Sequence, residues 1–259
     1  GALQGSVVRH PRDDVKLRSV ELILPEARRA IGFLTDVCGL TRAEVQGAVS
    51  YLRGSSSMAY LLSLQEGEPS CLRSTTFICT DAELRAVSRR AAAAGWPVAA
   101  TDSSDPGGGH GILVELPGGE RFRVLAGAAD KRPLADGDVP VQLTHVLINS
   151  SDAQRTAAAA ESVLGLRVAD DRQMVFVHEL NSGEVFARAS LGSLSHIAFQ
   201  MQDVDALMRG IDRLRSHGFA PVRGPDRRDL GANTFVCFIA PFGLVVEFSA
   251  SVGPADRVP

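Results

Sequence analysis

The chain contains two diverged copies of one segment, and this repeat limits the possible folds more than any other feature. KLRSVELILP at 16–25 resembles QLTHVLINSS at 142–151, each a β-rich run that leads into a helix start. The helix of the first copy ends FLTDVCGL and that of the second AESVLGL, which puts Gly39 and Gly165 126 residues apart. RSTTFICTDAELRAVSRRAAAAGWPV then pairs with LSHIAFQMQDVDALMRGIDRLRSHGFAPV, with Gly95 and Gly218 separated by 123. PGGERFRVLAG (117–127) matches PFGLVVEFSAS (241–251), with Gly119 and Gly243 separated by 124. A near-constant offset at three landmarks indicates two copies of one module. The expected boundaries are an extension at 1–14, modules at 15–127 and 140–251, a linker at 128–139 rich in Ala, Gly, Pro and charge, and a tail at 252–259.

Each module reads as strand, helix, several strands, then a second helix before the last strands. In the second copy a helix is expected over about 152–164, with Ser150, Ser151 or Asp152 as N-cap and Gly165 after its end. A later helix should open at Asp203 or Asp205 and stop at Gly218, with Leu207, Ile211 and Leu214 forming its buried stripe. Strands alternating with two helices, repeated twice, predict an α+β protein with curved mixed sheets.

Composition excludes several classes. The 259 residues hold 27 Lys+Arg against 30 Asp+Glu, a net charge of −3, so the basic excess of a nucleic-acid partner is absent. No apolar run reaches the roughly 18 residues of a membrane span. The opening GALQGSVVRHPRDDV has no apolar signal region. Cys38, Cys71, Cys79 and Cys237 form no CxxC pair and read as reduced thiols, as expected of a cytoplasmic protein.

The informative side chains lie in three strands of the second module. Period-2 alternation in LTHVLIN puts His145 on a face with Leu143 and Leu147, opposite Thr144, Val146 and Ile148. In LSHIAFQM, His196 shares a face with Ala198 and Gln200. In LVVEFSA, Glu247 shares one with Val245 and Ser249. A single strand histidine is more often a hydrogen-bonded core residue than a ligand. Two imidazoles and one carboxylate at matching depth are different: they are the facial ligand set for Fe(II), with Mn(II) possible, and leave three positions open. The repeat supplies a control. In the first module His145 maps to Ser19, His196 to about Thr75 and Glu247 to about Arg123, whose charge would repel a cation. Cys237, in the apolar run FVCFIA, reads as a small core residue. DPGGGHG at 105–111 reads as a loop and not a phosphate cradle, and His217 as a partner of a helix C-terminus.

These residues, His145 in LTHVLINSSD, His196 in LSHIAFQMQDVD and Glu247 in PFGLVVEF, make the chain resemble the vicinal oxygen chelate superfamily, the glyoxalase and type I extradiol dioxygenase group. The resemblance covers about 15–251 and is supported by GFAPVRGPDRR and NTFVCFIAPFG. It implies tandem βαβββ modules around a metal-containing cavity, with metal in the C-terminal module only. It also implies an iron-dependent dioxygenase that cleaves a catechol or related phenolic compound with O₂, as in aromatic compound catabolism. The partners expected are that small substrate and O₂, with no nucleic acid or membrane, in a homo-oligomer. The family's acid/base histidine falls within Asn181–Val185, where Glu184 is the titratable group. A second active-site histidine falls near Arg227 and Arg228, and the family's tyrosine falls on Cys237. His178, Glu184 and Arg228 are therefore the expected proton-transfer and substrate-positioning residues, and a guanidinium at 228 suits an anionic substrate. A metal-dependent lyase or isomerase on the same scaffold, or a binding protein without turnover, are the alternatives.

Overall fold

The apolar alternation in both copies resolves into two mixed sheets in a computed structural model that describes residues 15–135, 137–150, 153–165, 174–177, 193–227 and 233–251. The first half runs β1 (Lys16–Leu24), α1 (Ala27–Gly32) continuing into a π-helical turn (Phe33–Val37), β2 (Thr41–Gln46), β3 (Val49–Arg53) and β4 (Leu62–Glu66). It continues with β5 (Cys71–Cys79), α2 (Asp81–Ala93), β6 (Val98–Asp102), β7 (His110–Glu115) and β8 (Arg121–Ala126). The second half runs β9 (Gln142–Asn149), α3 (Ala153–Ala159) with its own π-helical turn (Ala160–Leu164), and β10 (Met174–Val177). There follow β11 (Leu194–Gln200), α4 (Val204–Ser216), β12 (Arg223–Arg227), β13 (Asn233–Ile239) and β14 (Val245–Ser251).

The strand orders are β2-β3-β4-β1-β5-β8-β7-β6 and β10-β9-β11-β14-β13-β12. The first half thus contains two βαβββ units joined side by side where β1 pairs with β5 in antiparallel fashion. The second sheet repeats that junction with β9 and β11. It also repeats the parallel pairs, β10 with β9 and β11 with β14 matching β4 with β1 and β8 with β5. Among the described residues both sheets are open, giving the α+β class expected from the sequence.

Local chemistry explains the helices. Asp203 caps α4, its carboxylate accepting from the Ala206 N–H at 2.7 Å, and Leu207, Ile211 and Leu214 are buried as the stripe requires. His217 follows the helix, with Nδ1 2.9 Å from the Arg213 carbonyl oxygen. Gly39 and Gly165 each follow a π-helical turn at φ +86° and +73°, a left-handed conformation that a Cβ disfavours. The repeat therefore records a backbone requirement and not only a residue preference.

The same turns join the halves. Arg213 of α4 donates through Nε to the Val37 carbonyl at 2.8 Å and through Nη2 to Cys38 at 3.0 Å. Arg90 of α2 donates in return to the Val163 carbonyl at 2.7 Å. Each second helix thus sends a guanidinium to the negative end of the other half's first helix, where a cation is favoured. Phe33 packs beside this contact against Phe219, with centroids 4.8 Å apart, and one apolar core runs through both halves. Among the described residues no helix is long and apolar enough to cross a membrane.

Candidate metal centre

Two β-bulges place the key side chains. Opposite Ala198 and Phe199, β9 uses one extra residue, Thr144, and opposite Ile148 and Leu147, β11 uses one extra residue, Ser195. A bulge breaks strict alternation and re-aims the side chains beside it. This corrects the simple face assignment: Leu143 lies across a bulge from His145 and joins the apolar core with Val146 and Ile148. The first half repeats both bulges, at Arg18 and at Arg73. Register then fixes the correspondence between halves. His145 pairs with Ala198 and Ala198 with Glu247, as Ser19 pairs with Thr76 and Thr76 with Arg123. His196 lies opposite Leu147 as Ser74 lies opposite Glu21, so the counterpart of His196 is Ser74, one residue from the Thr75 expected.

In the second sheet β9, β11 and β14 are neighbours, and His145, His196 and Glu247 meet with their ligand atoms all within 4.8 Å of one another. Oε2 of Glu247 is 3.2 Å from His196 Nε2 and 4.0 Å from His145 Nε2, and all three residues are buried. The imidazoles lie 5.3 Å apart with planes tilted by 32°. Thr144 sits 3.3 Å from both His145 Nδ1 and the Ala198 carbonyl. With its one hydroxyl proton on the carbonyl, its oxygen accepts from Nδ1–H, the tautomer whose Nε2 can bind a metal. A third partner of the carboxylate is Cys237, whose Sγ lies 3.8 Å from Oε2. Atoms that share one ion at about 2.1 Å stand about 3–4 Å apart, which this donor set approaches. A buried carboxylate also requires a compensating positive charge. The residues fit a divalent cation.

The first half fills the same place differently. Glu21, 4% exposed, accepts from Ser19 at 2.7 Å, Ser74 at 2.8 Å, Thr76 at 3.0 Å and Tyr60 at 3.2 Å, and pairs with Arg123 at 3.1 Å. Asp105, from the glycine-rich loop, accepts from Arg123 and Tyr51 at 2.6 Å and lies 3.0 Å from the Tyr60 oxygen, so it shares that hydroxyl's one proton with Glu21. Arg18, from the bulge, donates to Tyr60 at 2.6 Å. Burial raises the Tyr60 hydroxyl well above its ordinary range, helped by the Glu21 charge. Burial works against the Arg123 charge, but Glu21 and Asp105 overcome it and hold the guanidinium more firmly protonated.

Arg123, expected from its charge to repel a cation, is itself the cation at that place, paired with Glu21 and Asp105. The signal available was Glu21, an acid in the middle of an apolar strand. Cys237 is buried as expected but also touches Glu247, which its apolar neighbours gave no reason to suspect. His178, Glu184 and Arg228 lie outside the described residues.

Comparison with known proteins gives consistent results. The family described as Glyoxalase/Bleomycin resistance protein/Dioxygenase superfamily matches residues 142–248. Metapyrocatechase 2 of Cupriavidus necator is 28% identical over 153 residues, 57% of this chain but 45% of that protein's length. The chain therefore aligns with less than half of this curated relative. Among solved structures, a Mn(II)-bound glyoxalase from Novosphingobium aromaticivorans superposes with TM-score 0.79 and 24% identity, covering 94% of this chain and 85% of that one. A variant of homoprotocatechuate 2,3-dioxygenase from B. fuscum gives TM-score 0.76 and 18% identity over 95% of this chain and 75% of its own. At these identities the superpositions establish the fold.

Proposed function

We propose that this chain, whose residues 142–248 form a domain of the glyoxalase/bleomycin resistance protein/dioxygenase superfamily, is a non-haem Fe(II)-dependent dioxygenase of the extradiol type. Its substrate in this reading is a catechol or related phenol. The observation that carries the reading is the meeting of His145, His196 and Glu247, buried and within 4.8 Å of one another on three neighbouring strands. The homology to a metapyrocatechase supports the same reaction class.

The chemistry an iron would supply there is Lewis acidity toward paired phenolic oxygens, electron donation to O₂, and three open positions. The protein supplies the rest. Nε2 of each histidine and Oε2 of Glu247 would hold the ion, and the carboxylate would offset part of its charge. Thr144 fixes the tautomer of His145. Arg228 would bind an anionic group of the substrate, and His178 or Glu184 would accept the phenolic proton.

A metal-dependent lyase or isomerase is the competing reading, favoured by one residue: Cys237 stands where the resemblance places a tyrosine. Metal analysis of protein purified without oxygen separates the two. About one iron or manganese per chain, lost in His196→Ala, together with O₂ uptake on a panel of catechols, is the expected result. One zinc, nickel or cobalt per chain and no O₂ uptake would install the lyase reading, and no metal under any loading would remove both.

A further inference from the structure

Glu247 faces Cys237 directly across β13 and β14. The thiol is 1% exposed and held between Phe235 and Val245 in a small apolar cluster. Its Sγ lies 3.8 Å from Oε2, the same carboxylate oxygen that stands 3.2 Å from His196 Nε2 and 4.0 Å from His145 Nε2. A carboxylate on a strand can present either oxygen by turning about its last bond. In water that choice costs little. In an apolar enclosure even a weak S–H donor biases it, because the local dielectric strengthens the contact. The other half shows the contrast: there the partner of Arg123 across β7 and β8 is Leu113, which cannot hydrogen-bond. A donor stands at this register position where the facing residue is a carboxylate, and a hydrocarbon where it is a guanidinium.

We propose that Cys237 is a positioning residue for the metal centre. Its thiol hydrogen bond selects the oxygen that Glu247 presents between the two imidazoles, and so sets the affinity and symmetry of the bound ion. This rests on the metal reading given above. The role belongs to the thiol as a hydrogen-bond donor to Glu247 and does not require the sulfur to bind the ion.

The test uses Mn(II) as probe, with paramagnetic resonance reporting both free ion and the symmetry of bound ion. Cys237→Ala should weaken Mn(II) binding by about tenfold, the lower end of what outer ligand contacts contribute. It should also alter the bound-ion spectrum. Cys237→Ser, which keeps a donor, should stay within about threefold of the parent protein and retain its spectrum. In the metal-free protein, the Raman S–H stretch assigned to Cys237 by its loss in Cys237→Ser should move to higher wavenumber in Glu247→Ala. Far-ultraviolet dichroism and thermal unfolding confirm that each variant is folded. Parent-like affinity and spectrum in Cys237→Ala would overturn the proposal while leaving the metal reading intact. So would a serine variant as weak as the alanine one, or an S–H band unmoved by Glu247→Ala. A parent protein that takes up no Mn(II) would overturn the metal reading, and the proposal with it.

Discussion

The two halves build the same frame and balance charge on it in opposite ways. Both pair their central strands in the same register, and both use two bulges to aim side chains between those strands. In the first half the acid is Glu21 on β1 and the cation is Arg123 on β8, so the cluster carries its own counter-charge. In the second half Leu147 occupies the place of Glu21 and Glu247 that of Arg123, while histidines replace Ser19 and Ser74. That cluster joins two imidazoles to a buried carboxylate, the donor types that bind a divalent ion. The same frame thus carries an ion-pair network in one half and a metal-type donor set in the other, and four positions separate the two.

The sharpest way to break this contrast is to remove one donor from each half. His196→Ala should abolish Mn(II) binding in equilibrium dialysis, because two ligands cannot hold the ion against water. Ser74→Ala, the same operation at the matching position, should leave Mn(II) binding unchanged. Loss of binding in both variants would mean that the halves are not independent in this respect.

The next largest effect belongs to the first half. Arg123→Ala leaves Glu21 and Asp105 without their shared cation in a largely buried site, and breaking such a pair costs about 3–5 kcal/mol. Urea unfolding should show this loss with Mn(II) uptake preserved in whatever fraction remains folded. The network should also carry an acid dependence. Burial pushes the Asp105 carboxyl up, but hydrogen bonds from Tyr51, Arg123 and Tyr60 and the Arg123 charge outweigh it and hold the group below its ordinary value. A depressed folded value means that the unfolded chain binds the proton first. The stabilisation is therefore complete above the ordinary carboxylate value of about 4 and is lost as pH falls through the lower folded value. Asp105→Asn should flatten that part of the stability profile; an unchanged slope would place the acid sensitivity elsewhere.

Much of this frame is legible in the sequence. The repeat was visible because glycines at its turns answer a backbone requirement, and such positions keep their residue while the surroundings diverge. The three strands with His145, His196 and Glu247 could be read because alternation separates one polar side chain from an apolar face. What alternation could not show was the bulges. The extra residue Thr144 puts Leu143 on the other face, and the pairing register, not the spacing of the glycines, identifies Ser74 as the counterpart of His196. Nor could a local pattern show the first-half network, since Glu21, Tyr60, Asp105 and Arg123 come from four separate stretches of chain. Cys237 was hidden for the same reason: its partner is local across the sheet and distant along the sequence.

The smallest effect concerns how the halves are held together, where the symmetry is imperfect. Arg213 gives two hydrogen bonds to the π-helical turn of the first half, to Val37 and Cys38, while Arg90 gives one to Val163 and turns its other end to Glu83. Guanidinium bonds to carbonyls are charge-assisted, but these are only partly shielded from water. Arg213→Ala should therefore cost about 2 kcal/mol and Arg90→Ala about 1 kcal/mol. The measurement is the urea midpoint at constant slope for each variant. Because the two contacts lie on different helix pairs and share no hydrogen-bond partner, the double variant should cost the sum of the two. A larger combined loss would show that the two clamps act as one interlock, so that opening either end loosens the other.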